Sequence, residues 1–147
     1  ESMSFEKTLH SNNKTLNEMV VVTSKNHINE NLKKLIDKIR FKNVITMGSI
    51  GCKIASIIRG ESDIYISLSL PGKSSPKDWD FAAPEAILKA AGGSITDINN
   101  QELFYGKTKF EQGGIIIASN DYMRHKVICR QVKEIIKDNN FYPLLPN

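Results

Sequence analysis

A chain of 147 residues, 40% hydrophobic and 24% charged, suits one domain with its own apolar core. No apolar run reaches the roughly 18 residues of a membrane span, and no secretory leader opens the chain, so a cytoplasmic protein without membrane contact is expected. The net charge of +4 is scattered in short clusters (Lys33-Lys34, Lys38-Arg40-Lys42, Arg124-His125-Lys126) read as solvated helix faces, and only 7% of residues are aromatic, which argues against polymeric nucleic acid as a partner.

The first 17 residues are polar and aperiodic and read as a linker or tail; residues 18–147 read as one α/β domain. Met19 to Thr23 is a continuous apolar run, expected of a strand buried on both faces. Capping residues between Ser24 and Asn29 precede Leu32, Leu35, Ile36 and Ile39 at helical spacing. Val44 to Met47 predicts a second strand, Lys53 to Arg59 a short helix stopped by Gly60, and Asp63 to Leu70 a third strand of period two. After a Pro-, Gly- and Ser-rich loop, a helix is predicted from about Phe81 to Ala91, then a strand over Ser94 to Ile98 with Leu103 to Tyr105 as its partner. Gly114 to Ser119 is the most apolar strand. The last helix is predicted over Asp121 to Asp138, with Met123, Val127, Ile128, Val132, Ile135 and Ile136 facing inward. Strands alternating with helices predict a layered α/β sandwich, a largely parallel or mixed sheet under helices. Cys52 and Cys129 have no Cys-x-x-Cys spacing and read as two small buried side chains in a reducing compartment.

The stretch Lys77-Asp78-Trp79-Asp80-Phe81-Ala82-Ala83-Pro84, with Ala90-Ala91-Gly92-Gly93 behind it, carries the chemistry. Asp80 stands where a loop is expected to enter a helix. It reads there either as an N-cap or as an oxygen ligand for a hard cation such as Mg²⁺, and the local pattern leaves both open. Trp-Asp-x-Ala-Ala followed by Ile87-Leu88 and Ala-Gly-Gly resembles the second signature of the inositol monophosphatase superfamily. Further segments resemble that family in the same order: Ser24-Lys25-Asn26-His27, Gly48-Ser49-Ile50-Gly51-Cys52-Lys53, Gly60-Glu61-Ser62-Asp63-Ile64-Tyr65 and Leu103-Phe104-Tyr105. The first of these is similar to a segment of its 3′(2′),5′-bisphosphate nucleotidases, the CysQ type.

The resemblance implies a Mg²⁺-dependent phosphomonoesterase in which Asp80 is a metal ligand and touches the substrate side, with Lys53, Ser49 and His27 binding substrate. Lys53 would pair with the phosphate that is not cleaved. A lone lysine entering a helix otherwise reads as exposed, and His27 as a cap or surface residue. Adenosine 3′,5′-bisphosphate, yielding AMP and phosphate as in sulfate assimilation, is the implied substrate. An inositol or sugar phosphate, fructose 1,6-bisphosphate included, is the alternative, because Tyr65-Ile66-Ser67 stands where several nucleotidases carry Tyr-x-Arg and a bidentate guanidinium. Lys73 and Lys77, in the loop before Asp80, read either as replacing that charge or as ordinary loop lysines. A phosphate-ligand binding domain without catalysis is the reading of another class.

The family's remaining metal ligands come from an N-terminal Glu and an Asp-Pro-(Ile/Leu)-Asp-(Gly/Ser)-Thr loop. No Asp-Pro dipeptide and no Asp-Gly-Thr occurs in these 147 residues. The expectation is therefore a C-terminal half, inactive alone, whose partner is the N-terminal half of the same enzyme. Its uncovered apolar surface would favour self-association into a homodimer.

Overall fold

The computed structural model describes residues 14–25, 30–69, 78–103 and 114–139. In chain order these form β1 (Val20–Ser24), α1 (Glu30–Ile39), β2 (Asn43–Met47), α2 (Ile50–Ile58), β3 (Ile64–Ser69), α3 (Asp78–Ala90), β4 (Ser94–Asp97), β5 (Gly114–Ser119) and α4 (Tyr122–Asp138). The strands make one mixed sheet of order β2-β1-β3-β5-β4. β1 is parallel to both β2 and β3, with Val21 opposite Ile64 and Val22 opposite Tyr65, whereas β5 runs antiparallel to β3 and β4. The layered α/β class expected from the alternating pattern is the class observed.

Successive strand residues point to opposite faces, so the apolar runs supply two cores. Val21, Ile64, Ile66, Ile115 and Ile117 form one with Leu35 and Ile36 of α1 and Ile128, Val132 and Ile136 of α4. Val22, Tyr65, Ile116 and Ala118 form the other with Ile54 and Ile57 of α2 and Phe81 and Leu88 of α3. Each fully buried Ile or Leu contributes about 1.5–3 kcal/mol of transfer free energy, which makes the two-sided burial of β1, β3 and β5 the main source of stability. The chain leaves β1 for the sheet edge at β2 through α1, then returns past β1 to β3 through α2. With right-handed crossovers, a reversal of direction puts successive helices on opposite faces, as α1 and α2 are.

Side-chain hydrogen bonds fix the start of this unit. The Asp63 carboxylate accepts from the Val20 amide at 2.8 Å and from Lys14 Nζ at 3.3 Å, while the Asp63 amide donates to the Val20 carbonyl at 2.8 Å. Ahead of β1, Leu16–Glu18 form a 3₁₀ turn closed by a capping box between Thr15 and Glu18, and Leu16 is buried in the first core.

Several local expectations are corrected. α3 begins at Asp78, so Asp80 is not the N-cap but lies in the first turn. α2 begins at Ile50, because the Ser49 hydroxyl accepts from the Cys52 amide at 3.1 Å and opens the helix ahead of Lys53. On α4, Met123 and Val127 are exposed and the buried stripe is His125, Ile128, Cys129, Val132 and Ile136. That stripe follows the 3.6-residue period, which leaves Met123 and Val127 on the adjacent face. His125 is therefore not part of a solvated basic cluster. Cys52 is exposed and only Cys129 is buried. The bridge that β4 makes on this side is between Thr96 and Glu102, one residue ahead of the expected Leu103 to Tyr105; Phe104 and Tyr105 lie outside the described residues.

Candidate functional site

β1 and β3 are parallel neighbours whose following helices, α1 and α3, lie on opposite faces of the sheet. In open α/β sheets the crevice outside the carboxyl ends of two such strands is the usual binding place, since the departing chains diverge there. Ser24 is the last residue of β1, and Tyr65 and Ser67 lie on the α2-facing side of β3.

Lys53 enters this crevice from the first turn of α2. It is not exposed, as a lone helix-start lysine would be, but only 2% accessible. Its Nζ donates to Ser24 Oγ at 2.8 Å and stands 5.2 Å from the centroid of the Tyr65 ring. Among the described residues no carboxylate lies within salt-bridge distance of it. Burial lowers the Lys53 pKa, because desolvation disfavours the charged ammonium. The same environment pushes the Tyr65 phenol up to about 12. An ammonium has three donors, and this one spends a single donor on a hydroxyl and rests on an aromatic face. Such a group is stabilised strongly by an anion brought to it.

The amino end of α2 adds to the same field. Ser49 uses a lone pair to cap the helix, which leaves its hydroxyl proton free to donate, and the helix dipole is positive at this end. Across the crevice, α3 is anchored by Phe81, completely buried in the core that holds Tyr65 and Ile54. Asp80 immediately precedes it in the backbone. Pro84 sits four residues beyond Asp80 inside α3 and has no amide to donate, so the Asp80 carbonyl lacks its ordinary helical partner.

Ser49 and Lys53 thus both lie at the amino end of α2, and the backbone of Asp80 lies at the head of the helix leaving β3. His27 lies outside the described residues. Among the described residues, no group of three or more His, Cys, Asp or Glu side chains is placed to hold a metal ion. Ser24 and Tyr65 were present in the motifs, but their convergence on Lys53 was not legible: they are 29 and 12 positions from it in sequence.

The chain matches the family model described as "Inositol monophosphatase family" over residues 1–137. It belongs to that family. Among similar curated proteins, 3′(2′),5′-bisphosphate nucleotidase 1 of Rattus norvegicus is 34% identical over 105 residues, covering 70% of this chain and 33% of the relative. A 3′(2′),5′-bisphosphate nucleotidase of Dictyostelium discoideum is 42% identical over 86 residues, or 57% of this chain and 25% of the relative. This family member thus spans about a third of the length of the curated relatives it matches. Among solved structures, an IMPase of Thermotoga maritima superposes with a TM-score of 0.61 at 25% identity over 86% of this chain and 44% of that one. CysQ from Bacteroides thetaiotaomicron shares the fold with a TM-score of 0.59 at 22% identity over 76% of this chain and 41% of that one. Among the described residues, no helix of this inositol monophosphatase family chain is long and apolar enough to cross a membrane.

Proposed function

We propose that the chain supplies the substrate-phosphate side of a phosphomonoesterase acting on a 3′(2′),5′-bisphosphate nucleotide, with adenosine 3′,5′-bisphosphate as the substrate. The observation that carries this reading is Lys53: a buried ammonium without a described carboxylate partner, at the carboxyl end of β1 and against Tyr65 of β3. Its charge would hold the phosphate that is not cleaved, with Ser49 donating a hydrogen bond to it and His27 completing the substrate side. Ser24 fixes the ammonium by accepting from it, and the Tyr65 ring closes its inner side against water. The named activity of the nucleotidase relatives supports this choice.

Asp80 is proposed as one carboxylate toward Mg²⁺, the other donors lying outside these 147 residues in the longer enzyme. The length of the relatives leaves room for them. Mg²⁺ supplies Lewis-acid polarisation of the phosphoryl group when bound. On this reading the 147 residues bind phosphate without turning it over.

Ser67, where several nucleotidases carry arginine, favours a second reading in which the substrate is an inositol or sugar phosphate. One experiment separates them. In the full-length enzyme, Lys53→Ala should reduce kcat/KM for adenosine 3′,5′-bisphosphate at least tenfold more than for adenosine 3′-monophosphate, since only the bisphosphate has a second anion to lose. Equal losses on both substrates would defeat the assignment. Asp80→Asn, in the same enzyme at saturating Mg²⁺, should leave less than about a tenth of kcat, a deficit above roughly 1.4 kcal/mol.

A further inference from the structure

A second cluster of cations lies on the opposite face of the sheet from Lys53. α4 carries Lys126, Arg130, Lys133 and Lys137 at i, i+4, i+7 and i+11, all on one flank. Like charges on adjacent turns repel, so this flank gains when an anion sits among them. The turn that ends β4 rises beside it. There Asn100, at φ 60°, donates its amide to the Asp97 carbonyl at 3.1 Å. Between helix and turn is an open cleft of about 240 Å³, walled by Lys126, Cys129, Arg130 and Lys133 on one side and Ile98, Asn99 and Asn100 on the other.

The donors in this cleft are already arranged. Lys133 Nζ donates to Asn99 Oδ1 at 2.6 Å, and the Asn99 amide nitrogen is a further donor. In the turn, Asp97 Oδ1 accepts from the Asn99 and Gln101 amides, both at 2.9 Å. Among the described residues, no carboxylate lies within salt-bridge distance of Lys126, Arg130 or Lys133. Glu134 stands one turn beyond Arg130 and is exposed, outside salt-bridge distance of these cations. Arg130 offers the planar fork that binds a tetrahedral oxyanion through two parallel hydrogen bonds. The volume falls below the roughly 300–1,000 Å³ of pockets that enclose larger organic ligands. A compact occupant matches this volume.

We propose that this cleft binds a compact phosphoryl oxyanion, at a site separate from the Lys53 crevice. Inorganic pyrophosphate is the probe, titrated into the wild-type protein and into Lys53→Met while backbone amide resonances are followed by NMR. Saturable shifts of Asn99 and Asn100 are expected in both proteins. Lys126→Gln/Arg130→Gln, which alters only exposed side chains, should weaken them at least tenfold while circular dichroism stays unchanged. Adenosine 5′-monophosphate should bind more weakly than pyrophosphate, because its nucleoside exceeds the cleft. Shifts reproduced by sodium chloride at equal ionic strength would overturn the proposal, as would shifts insensitive to the double substitution. Tighter binding of a single-stranded oligonucleotide through the same residues would replace it with a polyanion surface.

Discussion

Acidification should destabilise this protein through one buried histidine. His125 Nδ1 is 2.7 Å from Ser119 Oγ and Nε2 is 2.7 Å from Thr96 Oγ1, and the ring is 1% exposed. Thr96 spends its hydroxyl proton on the Asp97 carbonyl at 2.8 Å, so Nε2–H must donate to Thr96, and Ser119 then donates to Nδ1. The neutral imidazole is thus satisfied at both nitrogens. Burial lowers its pKa from 6.5 to about 4, because the charged ring would lose its hydration. The unfolded chain takes up this proton first. Stability is therefore intact above about pH 6.5 and falls as the pH drops toward 4, with a ceiling near 3 kcal/mol. Between pH 7.5 and 5.0 the linkage relation gives a loss of about 2 kcal/mol, or roughly 1 M in urea midpoint at a typical slope of about 2 kcal/mol/M. Urea unfolding of the wild type and of His125→Gln at the two pH values measures it. Gln cannot titrate and keeps a donor and an acceptor, so the difference between the proteins isolates His125 from every other group. If both lose the same stability within about 0.5 kcal/mol, the reasoning fails.

Three further outcomes are expected. A Cβ on Gly93 would stand 2.6 Å from both the Ser119 carbonyl oxygen and Leu88 Cδ1, so Gly93→Ala should cost about 1–3 kcal/mol in thermal or urea unfolding. Ser49→Ala should cost about 1 kcal/mol by uncapping α2, and Ser49→Asp, which restores the cap, should recover most of it. Under native conditions Ellman's reagent should modify Cys52 rapidly and Cys129 only on unfolding, since Cys52 is exposed while Cys129 is buried with its thiol pKa pushed up by desolvation.

The sequence by itself determined the element order, the α/β class and the motif positions that place the chain in its family. Those signals are local: period-two and period-3.6 apolar spacing, Gly60 closing α2, and Trp79-Asp80 heading a helix. The helix starts were misread by a few residues, because capping by Ser49 is decided by which amide its hydroxyl reaches. The face of α4 was misread because His125 looks like a member of a basic cluster in sequence. Only in three dimensions do Thr96 and Ser119, 29 and 6 positions away, give the ring hydroxyl partners that make its burial tolerable. Lys53 shows the same division. Its motif was legible, but a lysine opening a helix ordinarily points to water, and nothing local announces burial. That was decided by the strand order, which lays β1 beside β3 and brings Ser24 and Tyr65 against an amine carried by a third element.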